Sequence, residues 1–451
     1  MSASRLASLT ALLVASLVPL PEPLSAQAPA GSQTPAGSVA PAGSPAPPAA
    51  PVVQGRIDTV DGLRVVHVWG DAQQRGYAHG FLLAADVTTL VREEFAARFA
   101  RLPGLLQQAR GAIGRVVTFP DEVRTELEAV YAGVVAAGVS RDMPELEREF
   151  DLTDLLVANA LDVFALMGCS GFCVWGEQAV GGGVLTGRNF DWPFTGQHML
   201  DGTILLVQHP SDGRVVASVT WPGYVGSVSA VSSDGVAAFL HVGTGKLTRT
   251  PEPESWPTAV AAQLLLRRFD PAAPAAGFDL AAELLGYTSP PAGFLTHVVL
   301  PRPPADAAPV GLFEVDARKC VRADLPAGLP SVVTNHFLTR TDGRGASLDS
   351  VDRQKRIRTG LEQCLLADDR LVSVDEGWTM LRGGGHAFGT LHSLVYRHEP
   401  WVFELRVADL GVPTRDAANA RRPVVAAPDS RRSYRLRRDQ VFPRDPAAAP
   451  R

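Results

Sequence analysis

Residues 167–192 begin Met167-Gly168-Cys169-Ser170-Gly171-Phe172-Cys173-Val174-Trp175-Gly176. After a turn through Gly181-Gly182-Gly183 they close on Gly187-Arg188-Asn189-Phe190-Asp191-Trp192. Two short β-type runs, CSGFCVW and GVLTGRNFDW, flank the glycine-rich turn, and that pattern reads as a hairpin. The hairpin sets Cys169 at the start of its first strand, with Arg188 and Asp191 near the end of its second. A thiolate is the reactive form of cysteine, and a neighbouring guanidinium favours it. A carboxylate nearby can orient an amine or another proton donor. An isolated cysteine is more often a buried packing residue; the combination over 169–192 is what points to chemistry.

Cys-Ser-x-Phe, a glycine-rich turn and Gly-Arg-Asn-x-Asp-Trp together resemble the opening of the catalytic chain in cysteine N-terminal nucleophile hydrolases. The resemblance is closest to the acyl-coenzyme A:6-aminopenicillanic acid acyltransferase group (peptidase C45). Choloylglycine hydrolases, penicillin V acylases and phospholipase B-like proteins are more distant. It implies an α+β fold, an αββα sandwich with two antiparallel sheets between helical layers. It also implies a precursor that cuts itself between Gly168 and Cys169. The freed α-amine of Cys169 has an ordinary pKa of about 7.7–8.0 and can exchange a proton with its own thiol at neutral pH. Before the cut that nitrogen is an amide and no base. Gly168, being small, leaves room for the thiol to attack the preceding carbonyl.

Three later stretches extend the resemblance. Val333-Thr334-Asn335-His336-Phe337 is similar to the family's Thr-Asn-His-Phe, which implies that Asn335 helps build an oxyanion hole. Ser350-Val351-Asp352-Arg353 resembles the family's Ser-x-x-Arg and nominates Arg353, although Ser350 is also a sensible helix N-cap. Thr390-Leu391-His392-Ser393 resembles the closing strand, its histidine read as structural because the mechanism already has a base. One departure stands out. Choloylglycine-type relatives place an asparagine before an acidic-x-Gly turn for a second oxyanion contact, and here Ser232 occupies that place in Val231-Ser232-Ser233-Asp234-Gly235. A hydroxyl donates one hydrogen bond but reaches less far than an amide.

The rest of the chain frames this centre. Its 451 residues are 46% hydrophobic and 20% charged with a formal net charge of −5, so nothing calls for nucleic acid. Residues 1–28 read as a secretory signal, with Arg5, an apolar run and Ala26-Gln27-Ala28, too short and interrupted for a membrane span. Residues 29–54 form a Pro/Ala/Gly/Ser-rich spacer. Residues 55–168 are the expected pro-region or α chain, with helices over 81–100, 120–137 and 145–164. His79 reads as a packing residue at a helix start, and Asn159 and Asp162 as helix-surface polar groups or contacts of the cut. Residues 169–412 are the catalytic β chain, rich in alternating strands at 202–209, 215–221 and 236–242. The tail 413–451 is an extended strap or a disordered end.

Among the four cysteines, Cys320 and Cys364 are a disulfide option in an exported protein. Cys173 shares a strand face with Cys169, as packing or as an oxidation partner. A zinc site lacks a second ligand pair, and no cofactor is implied. The expectation is an exported, periplasmic or extracellular, self-processing amidase or acyltransferase acting on a small-molecule amide, its two chains staying associated. Cys169 would be the nucleophile, Arg188, Asp191, Asn335 and Arg353 its supporting set, and Ser232 an auxiliary. The rivals are a phospholipase B-like lipid ester hydrolase and a catalytically silent secreted binding domain.

Overall fold

The computed structural model describes residues 52–448 apart from 97–98, 101–102, 162–167, 193–196, 245–253, 291–292, 305–306, 324, 326–327, 344, 386–388, 411–423 and 426. The expected signal, most of the spacer, Asp162 and the first part of the tail lie outside the described residues.

The hairpin forms as read and lies inside a six-stranded antiparallel sheet. Its order is Ser331–Val333, Gly168–Trp175, Val184–Asp191, Thr390–Arg397, Val402–Val407 and Ser433–Arg435. Alternation of side chains along a strand sorts the hairpin between two cores. Cys169, Cys173 and Phe190 face a second sheet, while Phe172, Val174 and Leu185 face the helices Leu348–Leu366 and Val374–Gly384.

The second sheet has nine strands: Gly55–Val60, Leu63–Gly70, Ile204–Pro210, Val216–Thr220, Ser229–Ser232, Ala237–Val242, Phe294–Val299, Val310–Val315 and Cys320–Ala323. Its outer face carries the helices Ala72–Leu82, Asp121–Ala136, Leu152–Ala158, Thr258–Arg268 and Pro274–Gly286. Four layers result, helix–sheet–sheet–helix, which is the αββα sandwich expected. One pairing departs from an all-antiparallel sheet: Leu63–Gly70 runs parallel to Ile204–Pro210. A parallel pair needs a long crossover, and the whole of 71–203, hairpin included, supplies it.

Two helices differ from their expected bounds, for local reasons. The one expected over 81–100 begins earlier, at Ala72, because the Asp71 carboxylate accepts from Gln74 N at 2.8 Å and Gln74 returns the bond, and it breaks at Leu83 into Ala84–Leu90 and a π-helical turn Val91–Ala96. Within the described part of 145–164, the α-helix covers Leu152–Ala158. Glu147 adopts a left-handed φ of 54° between two-residue strands, and Asp151 caps the helix only after that turn. The described end of the tail is a strap. Ser433–Arg435 pairs with Val402–Val407, Tyr434, Leu436 and Val441 are buried, and Arg56 binds the carbonyls of Pro446 and Ala448.

The helical layer is tied to the nine-stranded sheet by a buried acid. Glu126 Oε2 lies 3.0 Å from both Arg75 and Arg267, and Gln208 donates to its other oxygen. Burial pushes the carboxyl up, but Arg267 and Arg75 outweigh it and hold Glu126 below its ordinary value. Removing the acid takes away the buried partner of both guanidiniums and leaves them only the half-buried Glu122 as a carboxylate. Glu126→Ala is therefore expected to destabilise the fold by about 3–5 kcal/mol, read by chemical denaturation; a loss under about 1 kcal/mol, the level of an exposed pair, would show that the network is solvated.

Candidate active site

Strand pairing sets the first distances. Gly168 lies opposite Asp191, Cys169 opposite Phe190 and Gly171 opposite Arg188. Arg188 shares the inter-sheet face and reaches diagonally back to the cysteine. Its Nη2 donates to Cys169 Sγ at 3.2 Å and its Nη1 to the Leu240 carbonyl at 2.7 Å. The guanidinium carbon sits 5.2 Å from the centroid of Phe190, a cation–π arrangement. The thiol donates to the same Leu240 carbonyl, 3.2 Å away.

The nitrogen of Cys169 is held separately. On its open edge the strand is paired by Ser331–Val333, whose last partner is Gly171. Beyond that point side chains take the positions that a continuing strand would fill. Cys169 N donates to Asn335 Oδ1 at 2.8 Å, and Arg353 Nη1 donates to the Cys169 carbonyl at 2.8 Å. Asn335 Oδ1 also accepts from Arg353 Nη2 at 2.7 Å, and its Nδ2 donates to the Val242 carbonyl at 2.9 Å. These partners fix the amide's orientation. Arg353 is steadied by Asp349 at 2.8 Å and lies 3.8 Å from Asp191 Oδ2, while Thr390 Oγ1 donates to Asp191 Oδ1 at 2.6 Å.

Cys169, Arg188, Asp191, Asn335 and Arg353 are thus brought together, although 184 residues separate the first from the last. Ser232 is not. It closes a turn, its hydroxyl accepting from Val236 N at 3.2 Å and its carbonyl from Gly235 N. Leu240, by contrast, pairs with Val228, four residues back along the strand direction, about 13 Å at 3.3 Å per residue. Ser350 is not the N-cap either. Ser347 caps Leu348–Leu366, and the buried Ser350 hydroxyl instead accepts from Asn335 N at 2.8 Å. His79 and Asn159 both bind the backbone of Gly223, and Asn159 also takes Val225 N. His392 bonds Ser229 at 2.9 Å and stacks on Phe190 at 5.0 Å.

Thr390 and Ser350 lie within the Thr-x-His-Ser and Ser-x-x-Arg motifs, whose pattern carries no sign of these roles. The carbonyls of Leu240 and Val242 carry no side-chain signal at all.

The thiol is fully buried, and burial pushes its pKa above the ordinary value. Arg188 opposes this, the charge of Asp191 reinforces it, and Arg353 with a backbone hydrogen bond from Asp191 opposes it. With the chain unbroken through Gly168-Cys169, the resting form at neutral pH is the thiol. Beside it lies an aromatic run: Phe190 is 6.2 Å from Trp192 and 5.6 Å from Trp221, and Trp221 meets Tyr224 edge-on. Trp192 and Tyr224 are half-buried.

All four cysteines are free. Cys320 packs under the outer helices of the nine-stranded sheet and Cys364 under those of the six-stranded sheet, so the two lie on opposite outer layers and form no disulfide. Cys173 shares the inter-sheet core with Cys169. Four residues of strand span about 13 Å, well beyond the roughly 7 Å that a disulfide bridges, so they cannot oxidise together in this fold. Among the described residues, no group of three or more His, Cys, Asp or Glu could hold a metal ion, and no helix is long and apolar enough to cross a membrane.

No protein-family model matches the chain. It is similar to an uncharacterised protein of Archaeoglobus fulgidus, 29% identical over 202 residues (41% of this chain, 34% of that protein). It is also similar to protein dcd1B of Dictyostelium discoideum, 26% identical over 194 residues (39% of this chain, 37% of that protein). The chain spans about a third of the length of these curated relatives. Among solved structures, it resembles a mutant conjugated bile acid hydrolase from Clostridium perfringens, with a TM-score of 0.37 and 10% identity, covering 60% of this chain and 96% of that one. A Caenorhabditis elegans ortholog of N-acylethanolamine-hydrolyzing acid amidase gives a TM-score of 0.35 at 12% identity, covering 51% and 92%.

Arg188→Met removes the cation against Sγ while keeping the bulk. The apparent pKa of Cys169 is then expected to climb by about one unit or more, read as the pH dependence of iodoacetamide alkylation followed at the Cys169 peptide. Burial pushes Cys320 up to about 12 and Cys364, with Glu376 adding to it, up to about 11, so these thiols contribute little at neutral pH. An unchanged midpoint would dismiss Arg188 as the group that tunes the thiol.

Proposed function

We propose that the chain is an exported, self-processing amide hydrolase or acyltransferase whose nucleophile is Cys169. One observation carries this reading: the nitrogen and the sulfur of Cys169 are each held by a partner of their own, Asn335 on one side and Arg188 on the other. A residue that must serve as base through its α-amine and as nucleophile through its thiol needs both atoms placed independently.

In the first event Sγ attacks the Gly168 carbonyl, the C–N bond breaks, and the thiol proton passes to the departing nitrogen. Water then cleaves the thioester, giving a Gly168 carboxylate and a free Cys169 amine and thiol. In turnover the amine takes the thiol proton and the thiolate attacks an amide carbonyl. The leaving amine recovers the proton, and the thioester passes to water or to a second amine. Asp191 and the Asn335 carbonyl would hold the α-ammonium. Arg353 would keep Asn335 and the Cys169 carbonyl in place. The aromatic run from Phe190 to Tyr224 suits an apolar acyl group.

Asn335 has two claims on the chemistry, as acceptor for the Cys169 nitrogen and as amide donor to an oxyanion, and substitution separates them. Asn335→Asp keeps the acceptor and loses the donor, and with it the bond to the Val242 carbonyl. If the donor serves the oxyanion, kcat is expected to fall by about 10²–10³ while the nitrogen contact survives. A kcat within a fewfold of wild type would confine Asn335 to the acceptor role.

The decisive test of self-processing is intact mass with N-terminal sequencing of wild type and Cys169→Ala. A new chain starting Cys169-Ser170-Gly171, absent from the variant, is the expected result. It would direct assays to N-acyl amino acids, lactams and lipid amides or esters. A folded, uncut wild type would replace this reading with a silent binding domain or a cysteine enzyme that uses another base.

A further inference from the structure

A cluster of buried polar side chains lies around Gly171, two residues along the strand from Cys169, and the chemistry above does not use it. His241 follows Leu240 on Ala237–Val242, and its imidazole packs on Gly171. A β-carbon at Gly171 would lie 3.3 Å from His241 Cε1 and 3.7 Å from its Nε2. Gly171 stands between Cys169 and Cys173 on the strand, so the ring fills the space that a side chain there would take. The His241 ring centroid is 6.2 Å from that of His297, whose Nε2 lies 3.4 Å from Ser331 Oγ, and Ser331 is the register partner of Cys173. All of these side chains are buried, as is Arg188.

Both ring nitrogens of His241, Nδ1 of His297 and Nε of Arg188 lack a hydrogen-bond partner among the described residues. Burial first, then Arg188, His297 and Arg353, keep His241 well below its ordinary value, so its ring is neutral, with one N–H and one acceptor nitrogen. Burial and Arg188 hold His297 down to about 3. Buried polar atoms are nearly always satisfied, by protein or by ordered water. A water needs two to four polar partners, and this cluster offers the Arg188 Nε–H, both nitrogens of His241 and Nδ1 of His297.

We propose that His241, His297 and Arg188 Nε hold ordered water behind the nucleophile, and that through this water His241 is a positioning residue for the guanidinium against Cys169 Sγ. An apolar ring at 241 would leave Nε–H of a buried cation unserved and loosen the guanidinium, which would then be held only through Nη1, Nη2 and Phe190. An amide there would keep a partner for the water.

The proposal rests on Cys169 being the nucleophile, but its test needs no turnover. A crystal structure of the full chain, at a resolution that shows ordered water, is expected to place density between Arg188 Nε and a ring nitrogen of His241. Ring nitrogens bonded to protein groups instead, or no water between them, would overturn it. Alkylation of Cys169 by iodoacetamide across pH then compares wild type with His241→Phe and His241→Asn, each checked for a cooperative melt. Phe is expected to raise the midpoint by about one unit, a tenfold slower reaction at a fixed pH below it, and Asn to recover most of the loss. Wild-type midpoints in both would end the positioning role. If the Phe variant does not fold, the crystallographic water decides. Absence of self-cleavage would overturn the proposed function and leave these readouts intact.

Discussion

A charge-assisted hydrogen bond from Arg188 to the Leu240 carbonyl crosses from one sheet to the other beside Cys169. Apolar side chains such as Phe239, Phe294, Leu394 and Leu405 also pack between the two sheets. Apolar burial is strong but non-directional, so it brings the layers to contact distance without choosing their alignment. A buried guanidinium does choose, because an unmatched buried charge costs several kcal/mol. The Leu240 carbonyl that satisfies it also receives the Cys169 thiol, and two residues on the Val242 carbonyl receives Asn335. One short stretch of backbone in the nine-stranded sheet therefore locates both halves of the site carried by its neighbour.

The division of labour at Cys169 follows from β geometry. A strand residue sends its side chain out of the sheet and its N–H and C=O along it, so sulfur and nitrogen leave in perpendicular directions. The sulfur goes to the inter-sheet core and Arg188. The nitrogen goes to the edge that Ser331–Val333 gives up after Gly171, where Asn335 and Arg353 take over the ladder. An ordinary core cysteine would have had that edge filled by backbone. The side chains standing in for the strand distinguish this position from Cys173, which is buried on the same face with Ser331 as its paired neighbour.

Much of this was legible in the sequence because local pattern and tertiary role coincide. The hairpin, its glycine turn and the inward alternation of Cys169 and Cys173 follow from residue types alone, and the motif order located Arg188, Asp191, Asn335 and Arg353. The Ser232-Ser233-Asp234-Gly235 context specifies a turn but not which end of a strand faces the thiol, and the Ser232 hydroxyl serves the turn itself. Ser350 misled because a serine near a helix start suits a cap, yet Ser347 is three residues earlier and Ser350 points inward to Asn335. The parallel junction of Leu63–Gly70 with Ile204–Pro210 and the carbonyls of Leu240 and Val242 had no residue-level signature, since each depends on where distant backbone arrives.

That parallel junction has a topological consequence. The strands on its two sides come from either flank of the Gly168–Cys169 bond, so a chain severed there would have one sheet woven from two polypeptides. Folding before the cut is a first-order process at fixed tether length. Refolding afterwards would be second-order, with a rate set by concentration and a loss of effective molarity that no native contact restores. The intact precursor would then be the only form that assembles efficiently in dilute solution, and the severed form would depend on never letting go.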